Sequence, residues 1–300
     1  MAQNNRTIRL TESDYLKYKI KTDFISDKSD VYCNDFFEFN SQLPDEFADL
    51  IIIDPPYNLN KKYSESSFYK KSYNEYYNYT LSILTECLKK LKSTGTLYIC
   101  GDWKTSFIQM SCVNQLELSG ECFCINRITW ARDKGRAKRN NWKNNIEDII
   151  MIVKSDNYTF NIKDVMVKKT VLAPYRDSSG NNKDWIDGSL GRYRMTAPSN
   201  IWNDITVPFW SMKENTDHPT QKPEKLYAKL ILASSNSNDI IYEPFCGTGT
   251  ACVTAKKLGR KYIGVEKEKE YCLLAYKRLD FAETDPSIQG YENHIFTNKK

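Results

Sequence analysis

The chain has 300 residues, and its 43 Lys and Arg against 38 Asp and Glu give a formal net charge of +5. This length is enough for one large α/β domain with an insertion, and the 40% hydrophobic and 13% aromatic content argues against wholesale disorder. The longest uncharged apolar run of the interior, 149–153, is far too short to span a membrane, and the N-terminus lacks the apolar stretch of a secretory signal.

The predicted elements alternate between strands and helices along most of the chain. Residues 1–30 read as a polar arm that is helical at most in part. After it we predict, in chain order, a strand over 49–54, a helix over 81–91, a strand over 97–100, a helix over 106–118, strands over 122–130 and 146–154, a helix over 223–235, a strand over 239–242, a helix over 250–258, a strand over 261–265 and a helix over 268–280. This alternation predicts an α/β fold with a doubly wound, mostly parallel, Rossmann-like sheet.

Three segments do not follow this alternation. Residues 58–79 are rich in Tyr and Lys, and the pattern fits either a mobile cover over a ligand site or a packed helix. Residues 157–215 are polar and weakly periodic, which predicts an inserted irregular region, and the tail 283–300 is expected to be loosely attached. The remaining parts, 31–156 and 216–282, then form a single α/β domain.

Cysteine and histidine usage narrows the functional classes further. The nine Cys are scattered without a CxxC pair, which is typical of reduced thiols in a cytoplasmic protein. Only two His are present and no GxSxG motif occurs, so a His-rich metal site and a Ser-His-Asp hydrolase are both disfavoured. We therefore expect no metal, no membrane contact, and a monomer or homodimer.

A strand, a glycine turn and a helix follow one another over 240–250. Gly247 and Gly249 allow the backbone to approach a ligand closely, and Glu266 ends the next strand, where a Rossmann-like site binds a ribose diol. Cys252 occupies the place of a third glycine, so a pyrophosphate is less favoured than a nucleoside that carries a small amino-acid tail. The alternative is a tight turn followed by a surface acid.

The segment Asp54-Pro55-Pro56-Tyr57 directly follows an apolar strand. Two prolines stiffen the backbone and remove two donors, so the segment presents carbonyl and carboxylate acceptors beside an aromatic ring. Such a group suits a planar ligand that carries an amino group, with Tyr57 stacked on the ring. The alternative is a strand terminated by Pro-Pro, with a packed Tyr.

Together with 245–249 (Phe-Cys-Gly-Thr-Gly) and 218–223 (His-Pro-Thr-Gln-Lys-Pro), this segment resembles the motifs of the amino-group DNA methyltransferases. These enzymes transfer a methyl group from S-adenosylmethionine to adenine N6 or cytosine N4. The order of the motifs, with Asp-Pro-Pro-Tyr first, is similar to that of the β group. The resemblance covers roughly 30–280 and implies S-adenosylmethionine as cofactor, with 157–215 as the target-recognition region.

The resemblance also implies roles for individual residues. Catalysis is assigned to Asp54, Pro55, Pro56 and Tyr57, and cofactor binding to Asp35, Phe36, Asp54, Gln221, Lys222, Phe245, Gly247, Gly249 and Glu266. At Asp35 both neighbours depart from the family's usual Gly-Asp-Cys. For 218–223 a helix start capped by Thr220 is a compatible second interpretation. His218 is expected to fix the turn through a hydrogen bond, with proton transfer as the weaker alternative.

The basic segment 132–143 is the candidate for contact with DNA phosphates. It contains six basic residues and one acid, and a solvated surface loop is the alternative interpretation. The candidate residues are Arg132, Lys134, Arg136, Lys138, Arg139 and Lys143. The predicted partners are therefore double-stranded DNA and, for a restriction-modification enzyme, a cognate endonuclease.

The predicted activity is site-specific methylation of adenine N6 after the base is flipped out of the duplex. Asp at the first motif position favours adenine only by association with the family, so cytosine N4 stays open as an alternative. A non-catalytic, methyltransferase-like subunit that binds nucleic acid is the other alternative. No Pro-Cys dipeptide occurs, which argues against a C5-cytosine mechanism with a Cys nucleophile.

Overall fold

The computed structural model describes residues 5–25, 28–132, 135, 139–170, 176–183, 185–188 and 191–297. The α-helices in these ranges are α1 (Glu12–Lys17), α2 (Phe36–Asn40), α3 (Tyr73–Lys90), α4 (Thr105–Leu118), α5 (Glu224–Ser234), α6 (Thr250–Lys257) and α7 (Lys269–Thr284). The strands are β1 (Asp30–Cys33), β2 (Ala48–Ile53), β3 (Lys61–Lys62), β4 (Ser67–Phe68), β5 (Leu91–Asp102), β6 (Phe123–Ala131), β7 (Ile146–Val153), β8 (Val167–Lys169), β9 (Ile186–Gly188), β10 (Gly191–Thr196), β11 (Ile201–Trp202), β12 (Ile240–Glu243), β13 (Lys261–Glu266), β14 (Tyr291–Glu292) and β15 (Ile295–Phe296).

An eight-stranded sheet forms the centre of the molecule, in the order β1-β13-β12-β2-β5-β7-β6-β11. The pairs from β1 to β5 are parallel, and β11 is parallel to β6. Strand β7 is antiparallel to both of its neighbours. The prediction of a doubly wound, mostly parallel sheet is confirmed, and β7 is the exception that matters for the site.

Helices cover both faces of this sheet, which explains why its central strands are apolar at successive positions. Leu50 and Ile52 of β2 belong to the core beneath α5, α6 and α7. Ile51 and Ile53 point the other way, into the core beneath α2, α3 and α4. Because the side chains of a strand alternate between faces, one short run contributes to two cores.

A second, five-stranded sheet has the order β14-β15-β8-β10-β9 and joins the inserted region to the C-terminal residues. Phe296 pairs with Val167 in this sheet and is 2% exposed. Ile288 is also buried, and both pack against α5 residues in a small core of their own. The expectation of a loosely attached tail is therefore wrong for 283–297, because these residues complete a sheet.

The N-terminal residues are also more ordered than a polar arm. The arm contains α1 and begins β1, which forms the edge of the main sheet beside β13. Leu10, Tyr18 and Ile20 pack against the core beneath α7. Residues 58–79 contain the β3–β4 hairpin followed by α3, which begins at Tyr73, so the packed-helix interpretation holds for 73–79 only. In the described part of the chain, we find no helix with the length and apolar character required to cross a bilayer.

Candidate active site

The carboxyl ends of four adjacent parallel strands meet at one edge of the main sheet. Strands β1, β13, β12 and β2 end there, and the residues that follow them line a cavity of about 220 Å³. This is the edge at which open α/β sheets bind their ligands. The predicted site residues that line this first cavity are Asp35, Phe36, Asp54, Pro55, Pro56, Tyr57, Gln221, Lys222, Phe245, Gly247 and Glu266.

The Asp-Pro-Pro-Tyr segment is held rigidly after β2. The Tyr76 hydroxyl donates to the Pro56 carbonyl at 2.9 Å, which ties the segment to α3. The Tyr57 hydroxyl lies 3.1 Å from Asp54 Oδ1 and 3.1 Å from Glu147 Oε2. Burial, followed by the neighbouring carboxylates of Asp54 and Glu147, raises the pKa of Tyr57 well above its usual value. The phenol therefore stays protonated, with its single proton available to either of the two carboxylates.

The glycine turn requires backbone angles that favour glycine. Gly247 and Gly249 have φ values of +52° and +70°, in the left-handed region. Gly249 lies behind the cavity as the N-cap of α6, where a Cβ atom would approach Ala275 Cβ to 2.9 Å. The Gly249 N–H donates to the Cys246 carbonyl at 2.7 Å, closing the turn. Its role in the structure is thus to shape the turn rather than to line the cavity.

Glu243, at the end of β12, holds the start of α6 in place. Its Oε2 accepts hydrogen bonds from the N–H groups of Ala251 at 3.0 Å and Cys252 at 3.2 Å. Burial raises the pKa of Glu243 to about 8. The sequence interpretation did not single out this residue, although an acid between a strand and a Pro-x-x-Gly turn was a signal for it.

Glu266 presents a buried carboxyl group to the first cavity. The Gly247 N–H donates to its Oε2 at 2.9 Å, and the Glu268 N–H donates to its Oε1 at 2.8 Å. Burial raises the pKa of Glu266 to about 7, and these two backbone donors only partly offset that effect. A carboxylate fixed in this way can accept hydrogen bonds from a diol that enters the cavity.

Part of the lining of this cavity is aromatic. The rings of Phe36 and Phe245 lie 5.1 Å apart with a tilt of 32°, and Phe36 is buried. Asp35 precedes them as the N-cap of α2 and accepts from the Phe37 N–H at 2.8 Å. The cavity thus combines apolar rings with carboxyl groups, as expected for a nucleoside ligand.

The segment 218–223 carries three side chains with separate functions. Gln221 accepts from the Thr216 N–H at 2.9 Å and donates to the Glu214 carbonyl at 2.7 Å, so its amide fixes the segment. Lys222 Nζ lies 2.6 Å from Asp54 Oδ2 and 3.3 Å from Glu147 Oε2. Residues so far apart in the chain are brought together only by the sheet.

His218 fixes the turn, as predicted. Its Nδ1 accepts from the Thr220 N–H at 3.3 Å, and its ring packs edge-on against Tyr271. Burial, followed by nearby cations, lowers the pKa of His218 to about 3, so the ring is neutral. The second interpretation of this segment is confirmed for the helix start, because α5 begins at Glu224, and wrong for the cap. Pro223 rather than Thr220 is the N-cap and makes no side-chain hydrogen bond, while Glu214 Oε2 accepts from the Glu224 N–H at 2.7 Å.

A cover formed by residues 58–72, including the β3–β4 hairpin, closes the solvent side of the first cavity. The cover residues that line the cavity are Leu59, Lys61, Tyr63 and Phe68. Glu268 holds the hairpin by accepting from Ser64 Oγ at 3.0 Å, the Glu65 N–H at 2.6 Å and Ser66 Oγ at 2.5 Å. Burial alone would raise the pKa of Glu268, but these hydrogen bonds lower it overall. One carboxylate therefore fastens the hairpin to the N-terminus of α7.

A second cavity of about 440 Å³ adjoins the first. It shares the residues His218, Thr220, Gln221 and Lys222 with the first cavity, so the segment 218–222 is the wall between them. Its other lining residues are Trp130, Arg132, Glu147, Val207, Pro208, Phe209, Trp210, Asn215, Thr216, Asp217 and Pro219. The sequence interpretation missed this cavity and missed Glu147, whose only signal was an acidic pair at the start of an apolar strand.

The structure describes three of the predicted DNA-contact residues, and one of them lines the second cavity. Arg132 lines the cavity and its Nη1 lies 2.7 Å from Glu147 Oε1. Arg139 and Lys143 are exposed. Lys134, Arg136 and Lys138 lie outside the residues that the structure describes.

Comparison with known proteins is consistent with this geometry. The N6/N4 methyltransferase family, described as DNA methylase, matches residues 48–277. The chain is 34% identical over 250 residues to the type II methyltransferase M.HpaI of Haemophilus parainfluenzae, covering 83% of this chain and 73% of that protein. It is 32% identical over 253 residues to the DNA adenine methyltransferase YhdJ of Escherichia coli (strain K12), covering 80% of this chain and 79% of that protein.

Solved structures share the fold. The PvuII DNA methyltransferase (cytosine-N4-specific) has a TM-score of 0.65 at 17% identity, covering 87% of this chain and 89% of its own. The M1.HpyAVI–SAM complex has a TM-score of 0.53 at 26% identity, covering 83% of this chain and 99% of its own. Because the family matches most of the sequence and Asp54–Tyr57 precedes the glycine turn, the chain belongs to the β group of the amino DNA methyltransferases.

Proposed function

We propose that the chain is a site-specific DNA adenine-N6 methyltransferase that uses S-adenosylmethionine and acts on an adenine flipped out of the duplex. The observation that carries this proposal is that Asp54–Tyr57 and the glycine turn border one cavity. A second cavity adjoins it across the wall formed by 218–222. Donor and acceptor of a methyl group then have adjacent places, which is the main requirement of a transfer without a covalent enzyme intermediate.

The residues of the first cavity fit S-adenosylmethionine. The apolar rings of Phe36 and Phe245 suit its adenine, and the buried carboxyl group of Glu266 suits its ribose diol. Asp35 at the rim and the Gly247 turn complete the nucleoside end, while Gln221 and Lys222 border the end nearest Asp54. When bound, this cofactor supplies a methyl group made electrophilic by its sulfonium.

The second cavity is the proposed place of the flipped base. Its aromatic side chains include Trp130, Phe209 and Trp210, and aromatic rings stack on any base. Flipping costs a few kcal/mol in lost stacking and pairing, which such contacts offset. Tyr57, whose hydroxyl is fixed by hydrogen bonds, lines the first cavity and is the proposed stacking partner of the base where the two cavities adjoin.

The chemical step follows from the acceptors of the Asp-Pro-Pro-Tyr segment. The exocyclic nitrogen is a poor nucleophile because its lone pair is delocalised into the ring. Hydrogen bonds from this amine to Asp54 and the Pro55 carbonyl favour a tetrahedral nitrogen and stabilise the positive charge that develops on it. Asp54 thus acts first as a hydrogen-bond acceptor, and the nitrogen loses its proton after the methyl group has moved.

Adenine is preferred over cytosine for two reasons. The chain is 32% identical to the adenine methyltransferase YhdJ over most of both proteins. In addition, Asp at the first position of the Asp-Pro-Pro-Tyr motif is associated with adenine as the target base in this family. The type II methyltransferases among its relatives also support a place in a restriction-modification system, with a cognate endonuclease as partner.

The decisive experiment combines product analysis with one variant. DNA from cells that express the chain is digested to nucleosides and sequenced for modified positions, which identifies the base and the site together. Asp54→Ala should lower methyl transfer by at least about 100-fold while cofactor binding, measured by calorimetry, is retained. Full turnover by this variant would contradict the mechanism, and methylcytosine as the product would contradict the adenine assignment.

Contact with DNA is proposed for the basic segment 132–143. Neutralising Arg136, Lys138 and Arg139 together should weaken binding at low salt and reduce the slope of log K against log salt by about 2–3, because each phosphate contact contributes about 0.9. Binding to duplex DNA is measured by fluorescence anisotropy over a salt series. An unchanged slope would place the phosphate contacts elsewhere.

A further inference from the structure

The cluster around Lys222 has a function that the cofactor-binding assignment does not explain. The Lys222 side chain is 5% exposed, and its ammonium lies 2.6 Å from Asp54 Oδ2, 3.1 Å from the Tyr57 oxygen and 3.3 Å from Glu147 Oε2. The same Nζ atom lies 5.2 Å from the centre of the Tyr57 ring. These contacts go to the Asp-Pro-Pro-Tyr segment, which lines the first cavity, and to Glu147, which lines the second, and none goes to the glycine turn.

Glu147 makes the matching contacts from the other side. Its Oε2 is shared by Lys222 and the Tyr57 hydroxyl, and its Oε1 is paired with Arg132 at 2.7 Å. The Glu147 side chain is 6% exposed, so most of its surface contacts protein rather than solvent. Glu147 thus connects the Asp54–Tyr57 segment to the first residue of the basic segment.

We propose that Lys222 and Glu147 are positioning residues that hold the Asp54 carboxylate and the Tyr57 phenol in the orientation required to receive the target amine. Lys222 occupies Asp54 Oδ2, and Tyr57 occupies a lone pair of Oδ1. The carboxylate cannot rotate without losing one of these contacts. Its remaining lone pairs are therefore aimed in a fixed direction.

The charges of this cluster are balanced. Two carboxylates, Asp54 and Glu147, face two cations, Lys222 and Arg132. Removing one member of a buried ion pair leaves an uncompensated charge, whereas removing both members of a pair does not. Burial would lower the pKa of Lys222, but the charges of Asp54 and Glu147 raise it overall, so the ammonium persists.

Because the charges are balanced, variants can distinguish a positioning role of Lys222 and Glu147 from a role in charge compensation alone. Lys222→Met alone leaves the cluster with a net negative charge, and Glu147→Gln alone leaves it with a net positive charge. The double variant is neutral again but has lost both orienting groups. If the two residues serve only to balance charge, the double variant regains turnover as well as stability. If they orient Asp54 and Tyr57, it regains stability only.

The experiment measures thermal stability, cofactor binding and steady-state methyl transfer to unmethylated double-stranded DNA for the two single variants and the double variant. We expect Lys222→Met to lower kcat about 100-fold, as misplacement of a reacting group by about 1 Å does. The KM for the cofactor should change less than threefold. The double variant should recover the Tm lost by Lys222→Met, while its kcat stays low.

Lys229→Met is the matched control. Lys229 lies on α5, is equally buried, and is paired with Asp204 at 2.8 Å, away from both cavities. Its loss should lower the Tm while leaving the kcat of the folded protein unchanged. Recovery of kcat in the double variant, or a Lys222→Met variant with normal kcat and a tenfold higher cofactor KM, would overturn the proposal.

This inference rests on the proposed role of Asp54, so the series includes Asp54→Ala, which removes the acceptor. An active Asp54→Ala variant would contradict the proposed mechanism itself. An inactive Asp54→Ala variant beside a fully active Lys222→Met variant would contradict only the positioning role. The two failures are therefore distinguishable in one set of measurements.

Discussion

The two walls of the first cavity are built in different ways. The sheet wall consists of strand ends and the glycine turn, held by the ladder of the central sheet and by the buried carboxyl groups of Glu243 and Glu266. The cover, residues 58–72, has only the short β3–β4 ladder of its own. Its hairpin is held by the Glu268 carboxylate and by Phe68, whose ring packs against Tyr76 and Tyr79. The first wall sets the shape of the site, and the second has fewer contacts with the rest of the molecule.

This difference indicates that the two walls have different functions. Changes in the sheet wall should disturb folding and cofactor affinity together, because the same backbone forms the core of the sheet and borders the cofactor cavity. Changes in the cover should alter the entry and release of the cofactor and leave the fold intact, since local opening draws on regions with few buried contacts. Three variants test this division, in decreasing order of expected effect.

Gly249→Ala tests the sheet wall most severely. A left-handed backbone costs a non-glycine residue about 1–2 kcal/mol, and here the added Cβ also meets Ala275 Cβ at 2.9 Å. We expect a lower free energy of unfolding in urea and a loss of cofactor affinity. Gly259→Ala is the control, because Gly259 has a φ of +73° with open space around it and should incur only the backbone cost. Equal effects of the two substitutions would show that close packing at the turn is unimportant.

Glu266→Gln tests the electrostatics of the same wall through pH. Because burial raises the pKa of Glu266 to about 7 from an ordinary 4.5, the group's contribution to the stability of the free protein is present below pH 4.5 and is lost as the pH rises through about 7. The pH dependence of cofactor binding has the opposite direction, because the diol of the cofactor donates hydrogen bonds best to the ionised form of Glu266. Affinity measured by calorimetry should therefore increase from pH 6 to 8, and Glu266→Gln should abolish that increase. If Glu266→Gln kept the same increase in affinity with pH, that increase would arise from the titration of another group.

Glu268→Ala tests the cover and should have the smallest effect. Loss of the hydrogen bonds to the hairpin should raise the cofactor KM about fivefold, which corresponds to about 1 kcal/mol, while the Tm changes little. Proteolytic cleavage within 61–68 should become faster, and cofactor should retard it. Glu270→Ala, an exposed acid on the same helix, is the matched control. A large fall in Tm for Glu268→Ala alone would mean that the cover is part of the folded core.

The parts of the site that local sequence encodes were predicted well. A β-branched run that ends in Pro-Pro, and a strand that leads into Gly-x-Gly, impose their backbone paths by themselves, so the placement of Asp54, Tyr57 and Gly247 at the sheet edge was predictable. The predicted helices and strands appear with shifted ends, such as β5, which extends from Leu91 to Asp102 around the predicted 97–100. The tail was mispredicted because its few apolar residues are buried only by a sheet formed with distant strands.

By itself, the sequence determined the fold class, the family and the two segments that border the cofactor cavity, because each depends on residues adjacent in the chain. Only the tertiary structure decided which charged groups surround Asp54. Lys222 reaches it from 168 residues away. Glu147 lies there because β7 is antiparallel to β5, pairing Glu147 with Asp102, so β7 begins at the edge where the parallel strands end. Strand order and direction are set by packing across the whole sheet, and no local pattern specifies them.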